Sequence, residues 1–339
     1  MKNCANCFVK NKKISIILLA AVVLFMASAA LSLCIGNTKI GITDIIGALG
    51  GRVESAGERI FTFVRLPRTL ATLVCGAALS VSGAVIQNVL CNRLASPSII
   101  GVNSGAGLAV TLCAAAGIYG GWQLSLFSFL GALITVLFVS VGARKWGASR
   151  GTVILIGVAI NSLFGAFSDA VITINTDISI ISSDFKVGDF SAVTYQKTIP
   201  AAVIIFVSIA VLFTLSNELD ILTLGDETAI GLGLNSAVMR VVFLILAALL
   251  AGCAVSVAGL LSFVGLIVPH IIKRLGVTQS KHILPLCALF GAGFVTLCDT
   301  LARTIFAPYE IPVGIIMAFV GAPFFIFLLI KGKGGHKNA

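Results

Sequence analysis

RLPRTLATLVCGAALSVSGAVIQNVLCNRLASPSIIGVNSGAG, residues 65–107, sets two arginines beside a proline, then a Gly/Ala/Ser-rich apolar run, then Gln87 and Asn92, then a second glycine-rich run. A helix buried in a water-soluble core has no need of small residues at such regular intervals. A helix that packs closely against other helices in lipid does, because lipid removes the hydrophobic drive between helices and leaves close packing to hold them. The stretch reads as two membrane spans, near 69–90 and 98–117.

The rest of the chain agrees. Of 339 residues 58% are hydrophobic and 11% are charged, against about 25% charged in an ordinary soluble domain. The bilayer is the solvent that accepts such a surface. Further apolar runs lie near 14–35, 124–143, 152–173, 199–216, 238–258, 283–301 and 312–330, with a shorter Gly/Pro-containing run at 259–272. The fold class expected is an all-α membrane protein of about ten transmembrane helices, a single transmembrane domain over 1–339. The net charge of +10 is scattered in short clusters between apolar runs, a loop pattern at a membrane surface rather than a nucleic-acid stripe. With the N-terminus in the cytoplasm and sides alternating, 15 lysines and arginines fall inside and 8 outside, as the positive-inside rule requires. The C-terminus then lies inside too. Leu31–Cys34 resembles a lipoprotein cleavage site only loosely, and the first run reads as an uncleaved span. GAALSVSG at 76–83 and GCAVSVAG at 252–259 share five residues at an offset of 176; in this topology the copies run in opposite directions, as in an inverted repeat.

Few residues offer chemistry. Most of the nine cysteines lie in apolar runs, where cysteine behaves as a small hydrophobe. Cys4 and Cys7 form a lone CxxC with no second pair, so no metal site is expected. Arg65 and Arg68, at the outer end of a span, fit either interfacial anchoring or a cationic patch that pairs with carboxylates. Arg303 falls on the same outer side, four residues after Asp299, a spacing that suits a structural ion pair. Asp169 sits in an apolar run and is a candidate by that fact, although a wet interfacial position fits it equally. His270 suits a structural role better than a metal or proton site. The inner segment 217–237 carries four acids, no base and glycines at 225, 231 and 233, which suggests a short helix over 226–230 and either a protein partner or a plain solvated linker. No GxxxxGK[ST] phosphate loop is present, so nucleotide-driven transport would need a second chain.

Taken together, RLPR (65–68), SGAVIQ (82–87), NRLASPSIIG (92–101), LGDETAIGLG (224–233), FVGLIVPHIIKRLG (263–276), DTLAR (299–303) and IPVGIIMAFVGAPFF (311–325) resemble the FecCD-type permeases, the membrane subunits of ABC importers for iron–siderophore complexes, haem and cobalamin. The resemblance covers nearly the whole chain. It implies the cobalamin-importer architecture in the bacterial cytoplasmic membrane: two permease subunits, identical or related, two cytoplasmic ATPases carrying ATP and magnesium, and an extracytoplasmic substrate-binding protein. The chain itself would be a transport subunit with no cofactor and no catalytic residue. The resemblance further implies that Arg65, Arg68 and Arg303 dock the binding protein. Leu224, Gly225, Asp226, Glu227, Thr228, Ala229, Gly231 and Gly233 would belong to the segment that couples to the ATPase. Asn92, Arg93, Leu94, Ala148 and Ser149 would lie at an inner gate. Two departures stand out: Arg93 replaces the family's usual proline, and 184–195 keeps only part of the family pattern. A ferric siderophore is the expected cargo, with cobalamin and haem as alternatives, and an ion-coupled secondary transporter using Asp169 or His270 is the rival.

Overall fold

The computed structural model describes residues 2–38, 40–145 and 149–332, with side chains over 13–38, 40–145 and 149–327. Among the described residues there are fifteen α-helices and no strand: α1 (Lys2–Cys34), α2 (Ile42–Leu49), α3 (Ala56–Ile60), α4 (Leu66–Val89), α5 (Val102–Ala115), α6 (Gly121–Lys145), α7 (Arg150–Ile174), α8 (Ser179–Val187), α9 (Tyr195–Thr214), α10 (Ser216–Thr223), α11 (Asp226–Gly231), α12 (Ser236–Ala258), α13 (Val264–Arg274), α14 (Ser280–Thr304) and α15 (Val313–Gly332). A π-helical turn, Phe61–Arg65, joins α3 to α4.

Each of the ten predicted apolar runs carries a helix, but the count of ten spans is not reproduced. Among the described residues seven helices are long and apolar enough to cross a bilayer: α1, α3–α4, α6, α7, α9, α12 and α14. Helix α5 has 14 residues and α13 has 11. At 1.5 Å per residue these reach about 21 and 17 Å, short of the hydrocarbon thickness of about 30 Å.

Helix α4 is the hub. Nearly all of it is buried, whereas α1 and α7 turn much of their surface outward. Its partner α12 runs antiparallel to it: the Cys75 thiol meets the Ala254 carbonyl at 3.8 Å, and the Ser82 hydroxyl donates to Ala247 O at 2.7 Å. The two similar segments noted in the sequence therefore do run in opposite directions. On its other sides α4 meets α14 and α13 through bare backbone. A Cβ at Gly76 would overlap the Gly291 carbonyl, and one at Gly83 would overlap Gly265. Small residues make this approach possible, as close helix packing in lipid demands. Gly83→Leu is accordingly expected to lower stability by about 3 kcal/mol or more, visible as a lower thermal-unfolding midpoint and loss of the monodisperse peak in detergent. The same substitution at Gly107, where a Cβ meets nothing within 4 Å, should change neither.

Candidate functional site

Two polar centres stand at opposite ends of α4. At the Arg68 end, Arg65 forms the last residue of the π turn and is 3% exposed. Its guanidinium donates to the carbonyls of Leu33 and Cys34 at 2.8 Å each and to that of Thr38. It thereby satisfies the terminal carbonyls of α1, which have no partner inside the helix. Arg68 lies one turn on. Its Nε and Nη2 hold the Asp299 carboxylate at 3.0–3.2 Å and its Nη1 donates to Glu310 at 2.7 Å. Arg303 faces the other side of Asp299, with Nε at 3.1 Å, and donates through Nη2 to the Ser32 hydroxyl at 2.8 Å. The i,i+4 pair expected at 299 and 303 is present, and it is buried.

The three arginines are therefore buried, not an exposed cationic patch. Arg65, Arg68 and Arg303 are 3%, 4% and 3% exposed, and each guanidinium is held by groups of its own chain. The physical reason is local: α14 and α1 pack against α4 at this end and deliver Asp299 and the α1 carbonyls to the guanidiniums. A buried charge without a partner would be costly. Exposed cations at this end include Arg52 and Arg59 instead.

Asp169 is peripheral. Its side chain is 72% exposed and lies 3.4 Å from Lys186. His270 is half-buried and lines a cavity with Arg93, Leu94, Leu266, Ile267, Phe324 and Phe325. Among the described residues no group of three His, Cys, Asp or Glu could hold a metal ion; the side chains of Cys4 and Cys7 fall outside them.

At the opposite end the predicted loop 217–237 is two helices. Leu219 and Leu222 are buried and fix α10 against the bundle. Gly225, with φ +110°, turns the chain into α11, and Gly233, with φ +82°, lets it out. The short helix expected over 226–230 spans Asp226–Gly231. Ile230 within it and Leu224 and Leu232 on either side face outward, as do Glu227 and Thr228, while Ala229 is buried.

One carboxylate pins this helix. Asp226 accepts two hydrogen bonds from Arg240 Nη2, both at 2.8 Å, and one from Arg150 Nη2 at 2.9 Å. Arg150 also donates to Leu222 O at 2.9 Å and to the Cys91 thiol. That last contact carries the arginine to the turn containing Asn92, whose side chain accepts from Leu94 N at 2.9 Å. Ser149, next in line, caps α7 by accepting from Thr152 N at 3.3 Å. Arg150, directly after Ser149, therefore meets both Asp226 of the segment 224–233 and Cys91, the neighbour of the turn 92–94; Ala148 lies outside the described residues. Sequence reasoning counted Arg150 and Arg240 only as inside cations. The available signal was Asp226 itself, an acid that directly follows a glycine in a segment lacking any base.

A second network continues inward from α10. Asp220 accepts from Ser280 N and Oγ at 2.9 and 2.5 Å, and so caps α14 from another helix. Asn88 donates to Ser280 Oγ at 3.2 Å and accepts from Lys273 Nζ at 2.8 Å. Gln87 accepts from the same ammonium at 3.2 Å and donates to Gly265 O at 3.2 Å. Helices α4, α10, α13 and α14 are thus tied at one level.

With this geometry in hand, the chain can be set beside known proteins. The sequence profile of the FecCD transport family matches residues 18–331. The chain belongs to the FecCD transport family. It is 35% identical over 313 residues to the Fe(3+)-citrate import system permease protein YfmD of Bacillus subtilis, covering 92% of this chain and 94% of that one. It is 36% identical over 317 residues to the vitamin B12 import system permease protein BtuC of Salmonella typhi, covering 93% and 94%. A solved structure described as an inward-facing ABC transporter of metal-chelate type superposes with a TM-score of 0.83 at 30% identity, covering 93% of this chain and 99% of that one. The protein is a multi-pass permease of a FecCD-family ABC importer, a transport subunit rather than an enzyme.

Two outcomes follow for the polar centres. Asp299→Asn leaves the buried Arg303 without a carboxylate and Arg68 with Glu310 alone, and is expected to cost about 3–5 kcal/mol, whereas Asp169→Asn should leave the thermal midpoint unchanged; parallel unfolding scans in detergent check both. For Asp226, burial alone would raise the carboxyl, but Arg150 and Arg240 overcome it and hold it below the usual carboxylate range. A depressed folded-state value stabilises above the unfolded value, about 3.9, and is lost as pH falls through the folded one. Amide protection of α11, corrected for intrinsic exchange, should stay constant from about pH 8 to 5 and collapse only below about 4.

Proposed function

We propose that this permease carries an anionic or neutral iron chelate, most simply a ferric siderophore, into the cytoplasm by alternating access, as one of two permease subunits above a pair of ATPases. The observation that carries the reading is the glycine-bounded helix α11, exposed on its outer face and clamped through Asp226 to the starts of α7 and α12. A partner that moves α11 would move both spans, which is what coupling ATP closure to a gate requires. In this reading 224–233 is the coupling segment, the turn at 92–94 with Ser149 forms the inner gate, and both termini lie in the cytoplasm. The Arg68 end would receive a substrate-binding protein. Its three buried arginines order that surface from beneath, and contacts through them would require the Glu310 or Thr38 side to open.

Iron–citrate and cobalamin permeases are similarly related to this chain, so cobalamin is the second reading of cargo. Proton coupling through Asp169 is disfavoured by its exposure and its pairing with Lys186. The test is ATPase activity in lipid nanodiscs, with the chain co-expressed with a candidate ABC ATPase subunit. Binding protein loaded with ferric siderophore, ferric citrate, haem or cobalamin would be added in turn. Stimulation by one loaded form supports the importer reading and identifies the cargo. Asp226→Asn should then reduce the stimulated rate about tenfold, within the usual range of coupling energies. A folded preparation that assembles with no ATPase, or takes up cargo on a proton gradient alone, would overturn the reading.

A further inference from the structure

Between α6, α7, α11 and α12, at the Asp226 end, lies a cavity of about 280 Å³ lined by Ser140, Arg144, Ser149, Asp226, Ser236 and Arg240, among others. Four independent features give it one electrostatic character. First, Asp226 is shared by two guanidiniums, Arg150 and Arg240, so the clamp itself carries an excess positive charge. Second, Arg144 is exposed beside the cavity and takes part in none of the ion pairs among the described residues. Third, the N-termini of two long helices open onto it: Ser149 is the N-cap of α7, and Ser236 and Ala237 are the first residues of α12. First-turn amides have no intrahelical acceptor and sit at the positive end of the helix dipole. Fourth, the hydroxyl of Ser140, a residue only 2% exposed, has no hydrogen-bond partner. Ser140 stands one turn before Arg144 on the same face of α6. The negative features are Asp226, already over-neutralised, and the C-terminus of α6, offset by Arg144 and Lys145.

We infer that this cavity binds a phosphate-class oxyanion, supplied either by an anionic phospholipid headgroup or by free inorganic phosphate. The volume holds several waters at about 30 Å³ each, enough for a tetrahedral anion and part of its hydration. Bound there, the anion would be held by Arg144 and Arg240, receive the Ser140 hydroxyl, and bridge the ends of α6 and α7 to the helix that Asp226 pins.

The experiment uses the full chain in nanodiscs of phosphatidylcholine alone, of phosphatidylcholine with phosphatidylglycerol, and of phosphatidylcholine with added inorganic phosphate, read by thermal-unfolding midpoint. At about 100-fold excess over Kd a bound ligand should raise the midpoint by several degrees. A rise in the phosphatidylglycerol arm assigns the headgroup, and a rise in the phosphate arm assigns the free anion. In either case the rise should vanish in Arg144→Gln and in Ser140→Val, and persist in Lys281→Gln, which removes an exposed cation of α14 outside the cavity lining. Arg144 is exposed, so its loss leaves the packed core intact even where Ser140→Val perturbs it. No rise in either arm, or a rise of equal size in the wild type and Arg144→Gln, overturns the proposal and leaves the cavity a water-filled crevice.

Discussion

The close approach of α4 to α13 and α14 at paired glycines is the constraint on which the rest depends. In lipid, apolar side chains gain nothing by leaving one another's company for hydrocarbon, so helices hold together by contact and by polar bonds. Gly76 against Gly291 and Gly83 against Gly265 bring backbones together. That proximity lets the flanking side chains reach across. Arg68 meets Asp299, and Thr72 meets Thr296 at 3.0 Å. At the far end Asn88 meets Ser280. Were the glycines larger, the helices would stand apart and the buried charges would lose their partners.

The two ends of the hub are organised by different economies of charge. At the Arg68 end two arginines share the buried Asp299, Arg68 also meets the exposed Glu310, and Arg65 directs its donors at helix-terminal carbonyls. That arrangement favours a fixed end. At the Asp226 end one half-exposed carboxylate serves two arginines, and the surrounding surface keeps a positive surplus. Such an arrangement leaves capacity for a further anion or a protein partner. The contrast fits the permease reading, in which one end is held and the other is driven.

Much of this was legible in the sequence and some was not, for physical reasons. Apolar runs and small-residue spacing reveal spans because both follow from local chemistry, and all ten runs are helical. Their lengths were harder to read, since α13 starts only after Phe263 and ends at Arg274. The i,i+4 pair at 299 and 303 was legible because a single helix fixes it. The Arg68–Asp299 bond joins residues 231 apart, and no local pattern announces it; hence arginines at a span end read as outward-facing. Helix α10 was hidden because its acids outweigh Leu219 and Leu222 in composition, although those two decide its packing. Asp226 drew notice as an acid on the basic side of the chain, but the arginines that answer it stand in other helices.

The clamp at Asp226 has a mechanical corollary. Because a single carboxylate is the node shared by Arg150 at the head of α7 and Arg240 near the head of α12, displacement applied to α11 is divided between two levers by one hinge pin. In the proposed reading, displacement of α11 would therefore bear on both helices together rather than on either one alone.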